Sequence, residues 1–380
     1  MTDPEATAAQ QPSASTAPRK PLPLVIGALL GLVLGYVVFV LVTAGVNLMW
    51  ETLPNEMGQT PAWYVVAVPL AAGLVVYAIR RFLGDHGHSP LGGITISAYT
   101  PRAYLDAILA IAASLIGGLV LGPEVALVST GAVIGGLVAK ATGADPTRVV
   151  TASALGALGA LFVNPILGGS LSLGSSGDSL SIPDIAWAIP TALLTAVVVA
   201  VVRWGGWLLY RAAGPAPRLW ALVGGALLVS ASALALQAWT DAPVTFVLTS
   251  GEGFISDLAT ETAASTVLAV FLLKSIAYAV SLGAGFRGGP FFPVMFVGAA
   301  AGLFVSLVLP SGPSSTAAIV VGIVAAVIGT AAMKWPVALI LGAVIGYAFG
   351  GWVLVPAAIV GAAVSRAVPR FADRPAAATP

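Results

Sequence analysis

The chain has 380 residues, 58% of them hydrophobic and only 8% charged, with a net charge of +1. Soluble domains carry about 25% charged residues, so this composition cannot cover a water-facing surface and implies an all-α polytopic membrane protein. The few basic residues are scattered, which argues against a nucleic-acid partner; the absence of cysteine removes disulfides, thiol nucleophiles and thiolate metal sites together. His86 and His88 are the whole imidazole complement, too few for a zinc centre and too confined for an intramembrane enzyme. No cofactor is implied.

Residues 1–21 are rich in Ala, Pro, Ser, Thr and Gln and read as a disordered cytoplasmic tail ending in Arg19-Lys20. A long apolar run from Leu22 to Trp50 is sufficient to span a bilayer with tilt, and a second span runs from about Trp63 to Phe82, closed by Arg80-Arg81. Basic residues before the first span and after the second put the N-terminus in the cytoplasm of a cell-membrane protein, with Trp50 and Trp63 at the outer interface. The segment GDHGHSPLGG at 84–93 is either a turn or an irregular stretch lining a cavity, since non-helical backbone survives at membrane depth only where protein or water satisfies it.

A helix from about Tyr104 to Leu121 leads into GGLVLGPEVALVSTGAVIGG, where Glu124 is a lone carboxylate among uncharged residues. An ionised side chain near the bilayer centre costs at least ~2.5 kcal/mol and so faces a pathway or cavity by default. Pro123 suits the first turn of a helix, which makes Gly122-Pro123-Glu124 the broken start of a helix whose free N–H groups point at an anion. The bland alternative is that Glu124 only caps that helix. Gly131 and Gly135, and Gly118 and Gly122, form small-xxx-small pairs that permit close helix approach. Further helices follow over Thr147–Leu173, broken at Asn164-Pro165, and over Ile182–Leu209, interrupted by Pro190 and anchored by Arg203 and Arg211.

The second half, 213–370, opens with a span over Leu219–Trp239 and a loop whose Glu252 reads as lying outside the pathway. Lys274, inside the span Val267–Leu282, is expected to snorkel or to pair with a carboxylate. Residues 285–303 then echo the first half, 22–212: Pro123 precedes Gly131 and Gly135 by eight and twelve residues, as Pro290 precedes Gly298 and Gly302, with Phe291 standing where Glu124 stands. Weak similarity of this kind is the mark of inverted-repeat transporters. The last spans, Ala318–Val368, are broken at Lys334-Trp335-Pro336 and at Pro356, before a short tail at 371–380.

These pieces resemble the CLC family of chloride channels and proton-coupled chloride antiporters over about residues 22–370. Gly122-Pro123-Glu124-Val125-Ala126 is similar to the GxEGP segment, Gly289-Pro290-Phe291-Phe292-Pro293 fits GxFxP, and ALGALFVNPILGG at 157–169 resembles the helix pair after the gate. The resemblance implies a CLC-like inverted-repeat fold with interrupted helices, a homodimer with one pathway per subunit, and a small inorganic anion as cargo, with protons as a second candidate. Glu124 would be the gate; Gly122, Pro123, Val125, Gly289, Pro290, Phe291 and Phe292 would line the anion position. The sequence departs from the family at several points. Val125 and Ala126 replace glycine and proline, and the serine-bearing GSGIP segment is matched only loosely by His86-Gly87-His88-Ser89-Pro90, with Ser89 or His88 as its stand-in. Tyr347, with Phe349 as competitor, is the nearest match to the tyrosine that closes the inner side of the anion site. The internal relay acid would fall near Ser175, where none stands and Asp178 is the nearest acid; this tilts the reading toward passive conduction, with proton-coupled chloride or fluoride antiport as the alternative.

Overall fold

The computed structural model describes residues 21–163, 181–309, 312–331 and 333–368. Among these, eight helices are long and apolar enough to cross a membrane. In chain order the main helices are α1 (Leu22–Asn47), α2 (Ala62–Ala78), α3 (Pro101–Ile116), α4 (Glu124–Thr142), α5 (Pro146–Gly159), α6 (Ile182–Ala213), α7 (Leu219–Trp239), α8 (Ala264–Gly283), α9 (Phe291–Val308), α10 (Ser315–Thr330) and α11 (Trp335–Ala367). Several begin on polar caps that satisfy the first free N–H groups: Thr100 accepts from Ala103 N–H, Asp145 from Thr147 N–H and Ser314 from Ala317 N–H, while Ser181 and Asp184 form a reciprocal capping box. The two helices that begin at mid-chain glycines, α4 and α9, have no such cap, because their N-terminal residues are Pro123 and Pro290. Their free N–H groups are left for something else.

An offset of 167 residues relates the two halves, and the structure turns that offset into reciprocal contacts. Ser114 Oγ on α3 donates to Ala110 O at 2.9 Å and accepts the Arg287 N–H at 3.2 Å. Its counterpart Ser281 on α8 donates to Ala277 O at 2.9 Å and accepts the Val120 N–H at 3.0 Å. Each half therefore holds the loop of the other. Gly118 and Gly285 occupy equivalent positions with φ of 80° and 103°, conformations that side chains resist, and they turn both loops back toward the molecular centre. The loops meet as an antiparallel bridge, Gly122 N–H to Gly289 O and Gly289 N–H to Gly122 O, both at 2.7 Å. Antiparallel pairing of equivalent residues is what a two-fold axis relating oppositely oriented halves requires.

The helices leaving this bridge pack alike. A Cβ on Gly131 or Gly135 would run into the backbone of α5, at Ser153-Ala154 and Val150; a Cβ on Gly298 or Gly302 would run into the carbonyls of Gly322 and Ala318 on α10. The eight- and twelve-residue spacing thus serves backbone-to-backbone contact, as expected. The pairing of Gly118 with Gly122 does not, because both lie in the loop between α3 and α4 rather than on a helix face.

Other expectations are corrected. Pro190 does not interrupt α6, which is continuous from Ile182 to Ala213. Nor does Pro356 break α11; the kink is at Gly351, with φ 65° and ψ −169°. Neighbouring helices can absorb a proline in a membrane helix, whereas a left-handed residue changes the chain direction outright. Trp50 is buried rather than interfacial: Nε1–H donates to Ile116 O at 2.9 Å, and its ring lies against Gly118. Trp63 is 65% exposed, in keeping with an interfacial position. Asn164-Pro165, Ser175 and Asp178 lie outside the described residues.

Candidate anion site

The two helix starts converge on one carboxylate. Glu124 opens α4 and is only 2% exposed, and its Oε1 accepts the Phe291 N–H, the first amide of α9, at 2.5 Å. The Phe292 N–H and the Glu124 N–H also act on the carboxylate. These three N–H groups at the broken ends therefore favour negative charge at this point, aided by the positive ends of two helix dipoles. Proline at 123 and at 290 removes one amide from each helix start, so the donors present come from the residues immediately after. Glu124 Oε2 is buried with no hydrogen-bond partner among the described residues.

Glycine is needed on both sides of the carboxyl group. A Cβ on Gly122 would collide with Oε2 and one on Gly289 with the carboxyl carbon, so the bridge glycines form the floor on which the carboxylate rests. Tyr278 of α8 is fully buried nearby, and its hydroxyl donates to Pro290 O at 2.6 Å. That bond fixes the peptide whose N–H belongs to Phe291. Tyr278 stands four residues after Lys274 in an otherwise uncharged helix, and nothing local in the sequence distinguishes it from a core tyrosine. The arrangement is a small, buried, amide-lined position with no cationic side chain bonded to the carboxylate among the described residues, occupied by a carboxylate that carries the same charge as an anion.

Residues 169–370 match the family model described as voltage gated chloride channel, which is more than half of the chain. The chain belongs to the voltage-gated chloride channel family. Curated relatives of this CLC protein include the putative ion-transport protein YfeO of Escherichia coli O17:K52:H18, 27% identical over 316 residues, covering 71% of this chain and 74% of the relative. The YfeO of Shigella boydii serotype 18 is also 27% identical, over 317 residues, with the same coverage of 71% and 74%. Among solved structures, a slow cyanobacterial Cl−/H+ antiporter superposes with TM-score 0.70 at 18% identity, covering 94% of this chain and 96% of that one. A CLC-type fluoride/proton antiporter gives TM-score 0.60 at 15% identity, with 91% and 97% covered. At these identities the superpositions show the fold.

Within this CLC fold the remaining sequence candidates fall in different places. Val125 is buried in the first turn of α4. His88 Nδ1 pairs with the Tyr99 hydroxyl at 2.5 Å, and burial together with the Arg287 charge holds its imidazole below the usual pKa. Ser89 starts the tight turn Pro90–Gly92 by accepting the Gly92 N–H at 3.0 Å. Both sit in the irregular 84–93 segment, which packs against Arg287 through Gly87 rather than forming a plain surface turn. Tyr347 is not brought to the site: it is 51% exposed on α11 and its ring stacks on Trp352 at 4.8 Å, while Phe349, two residues on, is the buried one. The helical register turns Tyr347 outward. Tyr278, fully buried beside the bridge, is the tyrosine that the described residues place against the site.

Beneath the bridge, Asp85 joins two buried guanidiniums. It accepts from Arg80 Nε at 2.8 Å and Nη2 at 2.7 Å, and from Arg287 Nη2 at 2.5 Å, while Arg80 also donates to the carbonyls of Gly285 and Pro215. Burial pushes the Asp85 carboxyl up, but the two guanidiniums outweigh it and hold it below the usual carboxylate range. Its contribution to stability is therefore complete above the unfolded carboxyl's pKa of about 4 and is lost as pH falls through the lower folded value. Asp85→Asn leaves two buried cations unpaired and is expected to cost about 2–3 kcal/mol, the modest end for a broken buried pair because Asp85 keeps some contact with water. Thermal unfolding in detergent measures this, with a wild-type advantage that shrinks in acid.

Proposed function

We propose that this CLC protein moves a small inorganic anion, chloride or a close analogue, through a narrow route in each subunit past the Gly122–Gly289 bridge, in exchange for protons. The observation that carries the reading is the Glu124 carboxylate on the Phe291 amide at the junction of two helix N-termini. An ionised Glu124 competes with the anion for one set of donors; a protonated Glu124 loses that competition and leaves. One group thus binds either a proton or, by yielding its place, an anion, which is the elementary requirement for exchange. The antiporters among the structural neighbours support coupling over simple leakage. A membrane separating cytoplasm from the exterior is the setting, with Arg80 and Arg81 on the cytoplasmic side.

Passive conduction is the second reading, favoured by the serine at 175 in place of an acid. Proteoliposomes separate the two. An imposed chloride or fluoride gradient is expected to drive protons uphill without an ionophore; anion flux with no proton movement would establish the passive route instead.

A further inference from the structure

A second carboxylate stands above the first. The loop between α7 and α8 carries Thr249-Ser250-Gly251-Glu252, and Glu252, a loop residue as its sequence reading has it, nonetheless shares a cavity with Pro123. It lines a cavity of about 200 Å³ whose wall also includes Val42, Leu121, Pro123 and Ser250. Pro123 immediately precedes the gate residue, so the cavity wall reaches the residue next to Glu124. Its lining also includes Glu51, in the turn after α1, at the other end of the α2 span from Arg80 and Arg81. Glu252 Oε2 is shielded from solvent and has no hydrogen-bond partner among the described residues. Glu252 and Glu124 are also near enough for their charges to repel.

The loop is held in this position by an unusual anchor. Lys274 of α8 is fully buried, neither snorkelling nor ion-paired within bonding distance; its ammonium donates to Leu248 O at 3.0 Å and Thr249 O at 2.9 Å and lies 4.8 Å from the centre of the Phe296 ring. Gly251, at φ 87°, leaves no room for a Cβ beside that ammonium and ring. The charged groups that face Glu252 are Lys274 from α8 and Glu124 from α4, with the Ser250 hydroxyl on its own loop; Glu51 lines the same cavity. Burial raises the Glu252 carboxyl, opposed by the Ser250 hydrogen bond and by Lys274.

A permanent negative charge at the mouth of an anion route would repel the cargo. A carboxyl that takes up and releases a proton beside the gate does not. We infer that Glu252 is a second proton-binding carboxyl of this transporter, passing protons between the cavity and Glu124. The inference rests on the coupled reading above and extends it to a residue outside the two glycine motifs. No bond other than O–H is made or broken: a proton entering from the cavity binds Glu252 and moves to the Glu124 carboxylate, directly or through water, and the reverse path releases it.

The test compares wild-type, Glu252→Gln and Glu252→Asp proteins in the same proteoliposomes, recording anion flux and anion-driven proton movement together. The expected result is that E252Q lowers the ratio of protons to anions by about a hundredfold, the low end of what a positioned proton-transfer group supplies, and that E252D restores most of it. A wild-type ratio in E252Q overturns the inference while leaving coupling intact. Wild-type protein that moves anions without protons overturns the coupled reading and this inference with it. Should E252Q fail to insert, infrared pH-difference spectra of wild type and E252D decide: a carboxyl stretch displaced by the shorter acid supports a titrating Glu252, and identical spectra refute it.

Discussion

Glu124→Gln (E124Q) is expected to flatten the dependence of anion flux on external pH and to reduce coupled proton movement by at least about a hundredfold, the contribution typical of an essential proton-transfer group. The amide is nearly isosteric with the acid, so the Gly122–Gly289 floor and the packing of α4 against α5 stay as they are. What changes is charge. In the wild type the carboxylate takes the Phe291 N–H at 2.5 Å and thereby occupies donors that the anion also needs. Lower pH neutralises the competitor and frees them, so wild-type flux rises as external pH falls. A glutamine carries no charge at any pH, and its amide oxygen holds the same N–H groups less strongly than a carboxylate does, so it yields to the anion as a protonated Glu124 would. Flux measured across a series of external pH values checks this. An E124Q protein with the wild-type rate and the wild-type pH profile would remove Glu124 from the gate and leave it as a helix cap.

The parts of this site that were legible in the sequence are those written in local pattern. A lone acid after a proline, and two glycine spacings repeated at Pro123 and Pro290, depend only on neighbours along the chain, and they located both helix starts. What the sequence hid is what arises from pairing across the repeat. Ser114 and Ser281 look like ordinary helix serines until each is seen accepting an N–H from the opposite loop. Tyr278 acquires its meaning from the Pro290 carbonyl, and Asp85 from Arg287, two hundred residues away in the chain. Glu252 lies in a loop as its sequence suggests, but the loop has no apolar periodicity to show where it packs; Lys274 and the Thr249 N–H bond to Gly118 O hold it at the cavity beside Pro123. Tyr347 failed in the opposite direction. Matching by position near the chain end ignores helical phase, and on α11 the inward position belongs to Phe349. Proline misled where it was treated as a break, since α6 runs through Pro190 without interruption.

Gly289→Ala (G289A) tests the floor itself and is expected to reduce anion flux by about a hundredfold or more, because pathways this narrow are set by the fit of a few backbone groups. A methyl group there overlaps the Glu124 carboxyl group, and the bridge cannot yield readily: Gly289 exchanges two 2.7 Å hydrogen bonds with Gly122, and the loop behind it is held by Ser114. Overpacking of this kind typically costs about 1–3 kcal/mol, enough to see in thermal unfolding without preventing the fold. The clash is with a side chain, which makes the prediction sharp. Removing the carboxyl in the double variant G289A/E124A leaves the methyl group in open space, so stability should recover toward that of E124A and a part of the flux should return. The two substitutions are then strongly non-additive, as contact between them demands. Additive losses would mean that the methyl group at 289 harms the bridge backbone instead, and that the Glu124 carboxylate does not rest where the anion passes.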